Sequence, residues 1–321
     1  MKLDPQLNPQ PDLPPDLPPT PKVSVVIPIY NDVRRLEKCL RALENQTYPS
    51  DAYEVIVVDN GSEDVAAVKG LVDRFDRTRF ATETTPGSYA ARNRGISIAT
   101  GDVLAFTDAD CIPHAAWIER GVNRLVRHPD CGLVAGEIEL FFQNRDRLTP
   151  VELFEKMTAF TQRDFVECDR YGATANLFTT RQIFDRVGLF QVGLKSSGDL
   201  EWGQRVSGCG YPLVYAEEVR VSHPARSTFE ELYARTRRIA GGFYDLHVRN
   251  RSSSWERDRA FTKALLAHLI PPLMFVWKAW GDRQLKDARD KLQVCAAMFF
   301  FRYVSALEIL RLRFGRVSAR V

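Results

Sequence analysis

The chain has 321 residues with 45% hydrophobic and 26% charged content, the proportions of an ordinary globular protein large enough for one sizeable α/β domain with an appendage. A formal net charge of +3 gives no electrostatic basis for bulk nucleic-acid binding, so nucleic acid is not an expected partner. Six cysteines (Cys39, Cys111, Cys131, Cys168, Cys209, Cys295) show no Cys-x-x-Cys pair or regular spacing, which points to reduced thiols and away from a zinc site.

Residues 1–21 lack an apolar core and are dominated by proline, so they read as a flexible or polyproline-II tail and not as a signal peptide. Val23-Ser24-Val25-Val26-Ile27-Pro28 then reads as a first buried strand. Asn31-Asp32 supplies helix N-cap chemistry, and Leu36, Leu40 and Leu43 follow at helical spacing through Gln46. Val55–Val58 is a second apolar strand, ending in Asp59-Asn60-Gly61-Ser62, and Pro86-Gly87-Ser88 opens a helix through Ala90, Ala91 and Ile98. Gly101-Asp102 turns the chain into the apolar run Val103–Phe106. Strands alternating with helices over short loops argue for a doubly wound, mostly parallel sheet with helices on both faces. Runs apolar on both faces suit a sheet that helices cover. The alternation weakens after Ala135, where residues 136–215 mix short strands with helices.

Asp108-Ala109-Asp110 stands just beyond the third of these apolar runs. In open α/β sheets ligands sit in the crevice past the carboxyl ends of the strands. Two carboxylates there suit a hard divalent cation shared with substrate phosphates. Asp-x-Asp alone is a weak signal, but three further motifs precede it in order: Val-Ile-Pro-Ile-Tyr-Asn (26–31), Val-Val-Asp-Asn-Gly-Ser (57–62) and Ala-Ala-Arg-Asn-Arg-Gly (90–95).

Over roughly residues 22–225 this series closely resembles glycosyltransferase family 2, the inverting nucleotide-sugar enzymes of GT-A fold. The resemblance implies that Asp59 bonds the nucleobase, that Pro28 and Tyr30 shape the base pocket, and that Arg92 and Asn93 contact the nucleotide, the phosphates or Asp108. It further implies Asp108 near the ribose or the metal, Asp110 as a metal ligand, and His223 as a late metal or diphosphate ligand. Ser196–Trp202 resembles the family's Glu-Asp-x-Asp/Glu segment, with Gly198 replacing the first acid; Asp199 then aligns with the general base and Glu201 with the following acid. Asn60 departs from the commoner Asp-Asp-Gly-Ser form and bears on nucleotide preference. Each residue also has a bland reading: Asp59 as a turn cap, Arg92 as a surface helix residue, Tyr30 as core, Asp199 and Glu201 as acids favoured at a helix start. Arg235, Arg237 and Arg238 are candidates for neutralising the departing diphosphate, with solvated helix charge or lipid headgroup contact competing; Asn176 is a candidate for acceptor contacts and Trp202 for stacking on the acceptor or donor sugar, with core packing competing. No Gln-x-x-Arg-Trp motif of the membrane-embedded processive synthases is present.

From Arg257 the texture changes. Ala260–Trp280 and Leu292–Leu312 are long and apolar but interrupted by Pro271-Pro272, Lys263, His268, Arg302 and Glu308, so both narrowly miss the pattern of a spanning helix. Flanking Lys278, Arg283, Lys286, Arg311, Arg313 and Arg316 suit an anionic lipid surface; helices packed on the catalytic domain or a second subunit are the competing reading. The expected organisation is a tail (1–21), a nucleotide-sugar half (22–135), an acceptor half (136–256) and C-terminal amphipathic helices (257–321). The expected function is transfer of a sugar from a nucleotide-diphospho-sugar, a UDP-sugar first, to a glycan or lipid-linked hydroxyl in cell-envelope or exopolysaccharide biosynthesis. Mn2+ or Mg2+ is the expected cofactor. The expected location is the cytoplasm, at the inner face of the cell membrane with peripheral contact. A sugar nucleotidyltransferase and an inactive membrane-associated scaffold are the alternatives. The first lacks its glycine-rich, basic loop after the first strand, and the intact aspartates oppose the second.

Overall fold

Seven consecutive buried residues, Val23–Ile29, form the first strand (β1) of the computed structural model, as their β-branched side chains on both faces require. The structure describes residues 17–18, 20–285 and 287–319; the expected proline-rich tail therefore lies almost wholly outside the described residues, as does Lys286. The other strands are β2 (Tyr53–Asp59), β3 (Thr78–Thr82), β4 (Val103–Thr107), β5 (Ile112–Pro113), β6 (Leu133–Phe141), β7 (Asn176–Thr180) and β8 (Leu213–Pro224). Together they make one sheet in the order β3-β2-β1-β4-β7-β6-β8-β5. Pairings β1–β2, β1–β4 and β2–β3 are parallel, so the carboxyl ends of β1, β2 and β4 share one edge. Beyond β4 the described pairings β4–β7, β6–β7 and β5–β8 are antiparallel.

The β1–β4 ladder stops at Val26↔Phe106, two residues short of Pro28. Proline has no N–H with which to extend a ladder. The helix Val33–Glu44 is capped by Asp32, which accepts from the Arg35 N–H, and it buries Leu36, Cys39, Leu40 and Leu43. The helix Ser88–Ile98 lies close to β1: a Cβ at Gly95 would stand 2.4 Å from a Val26 methyl, so only glycine lets it approach.

At the opposite edge a polar knot fixes the strand starts. Glu54 accepts from the Ser24 hydroxyl (2.8 Å), the Thr100 N–H (2.7 Å) and hydroxyl (2.6 Å), and Arg79 (3.0 Å). Burial works against its ionisation, but the hydrogen bonds from Thr100, Ser24 and Arg79 prevail and hold its pKa at about 2, below the ordinary 4.5. A depressed carboxylate contributes stability above its unfolded value and loses it as pH falls through its folded value. Glu54→Gln should therefore melt below the parent at pH 7, and the gap should close as pH falls from 4.5 toward 2. A gap that stays constant across that window in thermal melts would remove the knot from the acid stability of the fold.

The chain divides into two units, one comprising residues up to 139, 161–192 and 199–223, the other 140–160, 193–198 and 224–321. The second is built from helices Pro150–Thr158, Phe229–Tyr244, Ser254–Leu269, Leu273–Gly281 and Ala288–Arg313. Val151, Phe154, Leu232 and Ala297 form part of its core, while Leu153, Ala279, Leu285 and Val294 form another. Within it, Glu155 and Glu308 are buried charges that require partners. Arg226 (3.1 Å) and Arg235 (3.7 Å) serve Glu155; Arg237 (2.9 Å) and Arg311 (2.7 Å) serve Glu308.

Candidate active site

Asp59 ends β2 with its side chain buried. One carboxylate oxygen accepts the N–H groups of Gly61 (3.0 Å) and Ser62 (3.2 Å), the turn cap that Asn-Gly-Ser chemistry suggested; Gly61, at φ 81°, occupies the left-handed region. The other oxygen is buried and has no hydrogen-bond partner among the described residues, an arrangement that is costly unless a water or ligand donor meets it. Neighbouring loops lock this turn. Ser62 accepts the Asn31 N–H (2.9 Å) while the Asn31 side chain accepts the Glu63 N–H (2.8 Å). Asn60 donates to the carbonyls of Glu83 and Thr85 and accepts the Gly87 N–H (2.7 Å), fixing the loop that starts the Ser88–Ile98 helix.

That helix carries Arg92, buried, to within 2.5 Å of Asp108. One turn earlier, Tyr89 donates its hydroxyl to Asp199 (3.1 Å), and the Arg92 guanidinium lies over the Tyr89 ring at 5.6 Å. Asp199 opens the helix Gly198–Gly208 and also accepts the Leu200 N–H (3.0 Å). Tyr89 and Arg92, neighbours on one helix, thus join Asp108 and the sequence-distant Asp199 in one contact chain. Burial pushes the Asp199 carboxyl above its ordinary value, outweighing the Arg92 charge, the Leu200 N–H and the Tyr89 hydroxyl, which favour ionisation. Glu201, the alternative acid, is instead engaged by Arg205 (2.6 Å) and Gln191 (3.0 Å).

Two residues past Asp108, Asp110 lies 3.5 Å from Nε2 of the buried His223 on β8. Ligand atoms of Asp110, Cys111 and His223 all fall within 4.8 Å of one another. The Cys111 thiol faces the Ala175 carbonyl (3.8 Å), and burial, reinforced by Asp110 and Asp108, raises its pKa far above the ordinary thiol value. Cys39, also buried, donates to the Asp108 carbonyl (3.7 Å).

The remaining expected site residues have the following surroundings. Pro28 is buried inside β1, while Tyr30, just beyond the strand, is 39% exposed. Asn93 directs its amide to the backbone of Phe190, donating to the carbonyl (2.9 Å) and accepting the N–H (3.1 Å), so it holds that loop. Asn176, expected at the acceptor, is fully buried: it donates to the carbonyls of Glu137 and Val219 and accepts from the Trp117 indole. Trp202 is core, stacked on Phe184 at 4.5 Å. Arg235 and Arg237 are paired with Glu155 and Glu308. Sequence reasoning passed over Tyr89 and Cys111. Tyr89 had a usable signal, since it precedes Arg92 by three residues and so shares its helix face. Cys111 had none, because its partner His223 is remote in the chain.

The sequence matches the model described as glycosyl transferase family 2 over residues 24–197. Glycosyltransferase AglE of Haloferax volcanii is 38% identical over 238 residues, covering 73% of this chain and 76% of AglE. The Escherichia coli protein named uncharacterized glycosyltransferase YibD is 39% identical over 93 residues, 28% of this chain and 26% of YibD. The solved structure of mannosyltransferase PcManGT from Pyrobaculum calidifontis, a complex with GDP-Man and Mn2+, aligns with TM-score 0.60 at 20% identity over 93% of this chain and 90% of that one, so the two share a fold. With the family match spanning over half of the chain, and AglE aligned along most of its own length, the chain belongs to glycosyl transferase family 2 and is a glycosyltransferase of GT-A fold.

Proposed function

We propose that this glycosyltransferase is inverting and metal-dependent, moving one sugar from a nucleotide-diphospho-sugar to a hydroxyl of a glycan or lipid-linked acceptor. The observation that carries the reading is the contact chain Asp108–Arg92–Tyr89–Asp199, which joins the Asp-x-Asp carboxylates to a half-buried carboxyl poised as a base.

In this reading the Asp59 oxygen left without a partner among the described residues accepts a ring N–H of the base, a donor that uracil (an imide) and guanine (a lactam) both offer. Tyr30 is exposed enough to stack beside it. Asp199 takes the proton of the acceptor hydroxyl as that oxygen bonds to the anomeric carbon, on the face opposite the diphosphate; the bond from carbon to phosphate oxygen breaks and the nucleotide diphosphate departs. Arg92 holds Asp108 in place, and Asn93 acts through Phe190 to steady the loop. The donor set fits a divalent cation: Asp110 supplies a hard oxygen and His223 an imidazole nitrogen, a mixture better suited to Mn2+ than to Mg2+. Such a cation would stabilise negative charge on the departing diphosphate. The apolar, basic C-terminal segment supports a cytoplasmic enzyme in peripheral contact with the inner face of the cell membrane, acting in cell-envelope or exopolysaccharide biosynthesis.

A panel of UDP-, GDP- and dTDP-sugars with Mn2+ tests the reading. The matching donor should raise the melting temperature, since ligand at a hundred times its Kd stabilises the native state by about 2.7 kcal/mol. Slow donor hydrolysis should accompany the shift, and Asp110→Ala should abolish the Mn2+-dependent part of both. If no nucleotide sugar shifts the melt or is hydrolysed, the reading is wrong; if Asp110→Ala retains full Mn2+ dependence, the metal assignment is wrong.

A further inference from the structure

The helix Leu273–Gly281 (LMFVWKAWG) is apolar almost all round. A helix of that kind needs an apolar environment on every side. Its inner face has one: Phe275, Val276 and Ala279 pack with Leu153, Leu285 and Val294. Its outer face does not. Leu273 is 72% exposed, Met274 87% and Trp277 82%, and Leu269 and Ile270 at the end of the preceding helix extend the same apolar surface. Scattered exposed hydrophobics need no explanation, but a contiguous cluster of large ones marks an interaction site.

The elbow that presents these residues is built, not frayed. Pro271-Pro272 end the helix Ser254–Leu269, and the orphaned carbonyls of Ala267 and Ile270 accept from the Arg302 guanidinium on the helix Ala288–Arg313. Lys291 closes the other end by donating to the Trp280 carbonyl (2.7 Å). Around the elbow, Lys263, Lys278 and Arg283 are exposed, with no carboxylate at ion-pair distance among the described residues. Residues 257–321 carry thirteen Arg and Lys against five Asp and Glu.

We infer that the Leu269–Trp280 elbow inserts into one leaflet of an anionic bilayer, with Lys263, Lys278 and Arg283 at the headgroups. The inference deepens the membrane contact proposed above and rests on it. Ser254–Gly281 and Ala288–Arg313 are each long and apolar enough to cross a bilayer, but 44% of the apolar stretch of the second is buried within the protein. The first is broken at its prolines and bears Arg257, Asp258, Arg259 and Lys263. Both features suit lying in the interface over crossing it. A second copy docked two-fold on this face would bring the basic residues against their own counterparts, which disfavours that occupant.

The full chain is tested by flotation with phosphatidylcholine vesicles with and without phosphatidylglycerol. Binding that requires phosphatidylglycerol, falls about ten-fold or more in Leu273→Glu/Met274→Glu, and quenches Trp fluorescence from brominated acyl chains in the parent but much less in Trp277→Phe would support the inference. Donor hydrolysis, measured without vesicles, should be unchanged in these variants and so certifies folding. If the parent binds no vesicle, the membrane contact itself is refuted while the glycosyltransferase reading stands. Binding retained by the double variant refutes the elbow alone. Protection of the chain's end from protease added outside sealed vesicles would show spanning, and self-association lost in the double variant without vesicle binding would assign the face to a second copy; either overturns the inference.

Discussion

Asp199→Asn should lower the sugar-transfer rate by about 10²–10⁴-fold, the usual contribution of a positioned general base. Donor affinity should hold within about three-fold, because Asn keeps an acceptor for the Tyr89 hydroxyl and the Leu200 N–H and differs chiefly in being unable to take a proton. Transfer needs the ionised carboxylate, so the rate should fall as pH drops through the raised pKa of Asp199, at a higher pH than for an ordinary carboxylate. Tyr89→Phe supplies the sign test: it removes a donor that favours ionisation, so the pKa should rise further and the acid limb should move to higher pH, with the plateau rate much less affected. An Asp199→Asn enzyme retaining more than a tenth of parental turnover would assign the base elsewhere.

The largest expected effect on stability comes from Asn176→Ala. This amide ties β6, through the Glu137 carbonyl (2.7 Å), and β8, through Val219 (2.8 Å), to β7, and it accepts the Trp117 indole N–H (2.8 Å). Truncation strands three buried polar groups, each costing about 1–3 kcal/mol when unsatisfied. Allowing for relaxation, the loss should be about 3–5 kcal/mol, or roughly 10 °C in melting temperature for a domain of this size. A melt within about 2 °C of the parent would mean that the antiparallel half does not depend on this link.

The parallel half of the sheet was legible because β1, β2 and β4 are dominated by apolar residues, each strand ended by the residues that carry the motifs. β3 was not: Thr78–Thr82 is short and only partly buried, so no hydrophobic pattern announces it. The antiparallel half depends on long-range pairing, with β7 inserted between β4 and β6, and nothing local encodes that order. The same contrast runs through the site. Asp59, Asp108 and Asp110 could be singled out as candidates because they stand at or just past strand ends, and Asp199 because it stands at a helix start. Asn176 and Trp202 lie in a weakly patterned stretch, where an amide or indole that serves the core looks like one that lines a pocket.

The thiols beneath the Asp-x-Asp loop have a bearing on redox behaviour. Cys39 and Cys111 are buried, and burial, reinforced by the nearby Asp110 and Asp108 carboxylates, keeps both protonated, the form that alkylating agents and peroxides attack slowly. Cys168 and Cys209 are exposed and should react first, leaving the surroundings of Asp108 and Asp110 intact under mild oxidation.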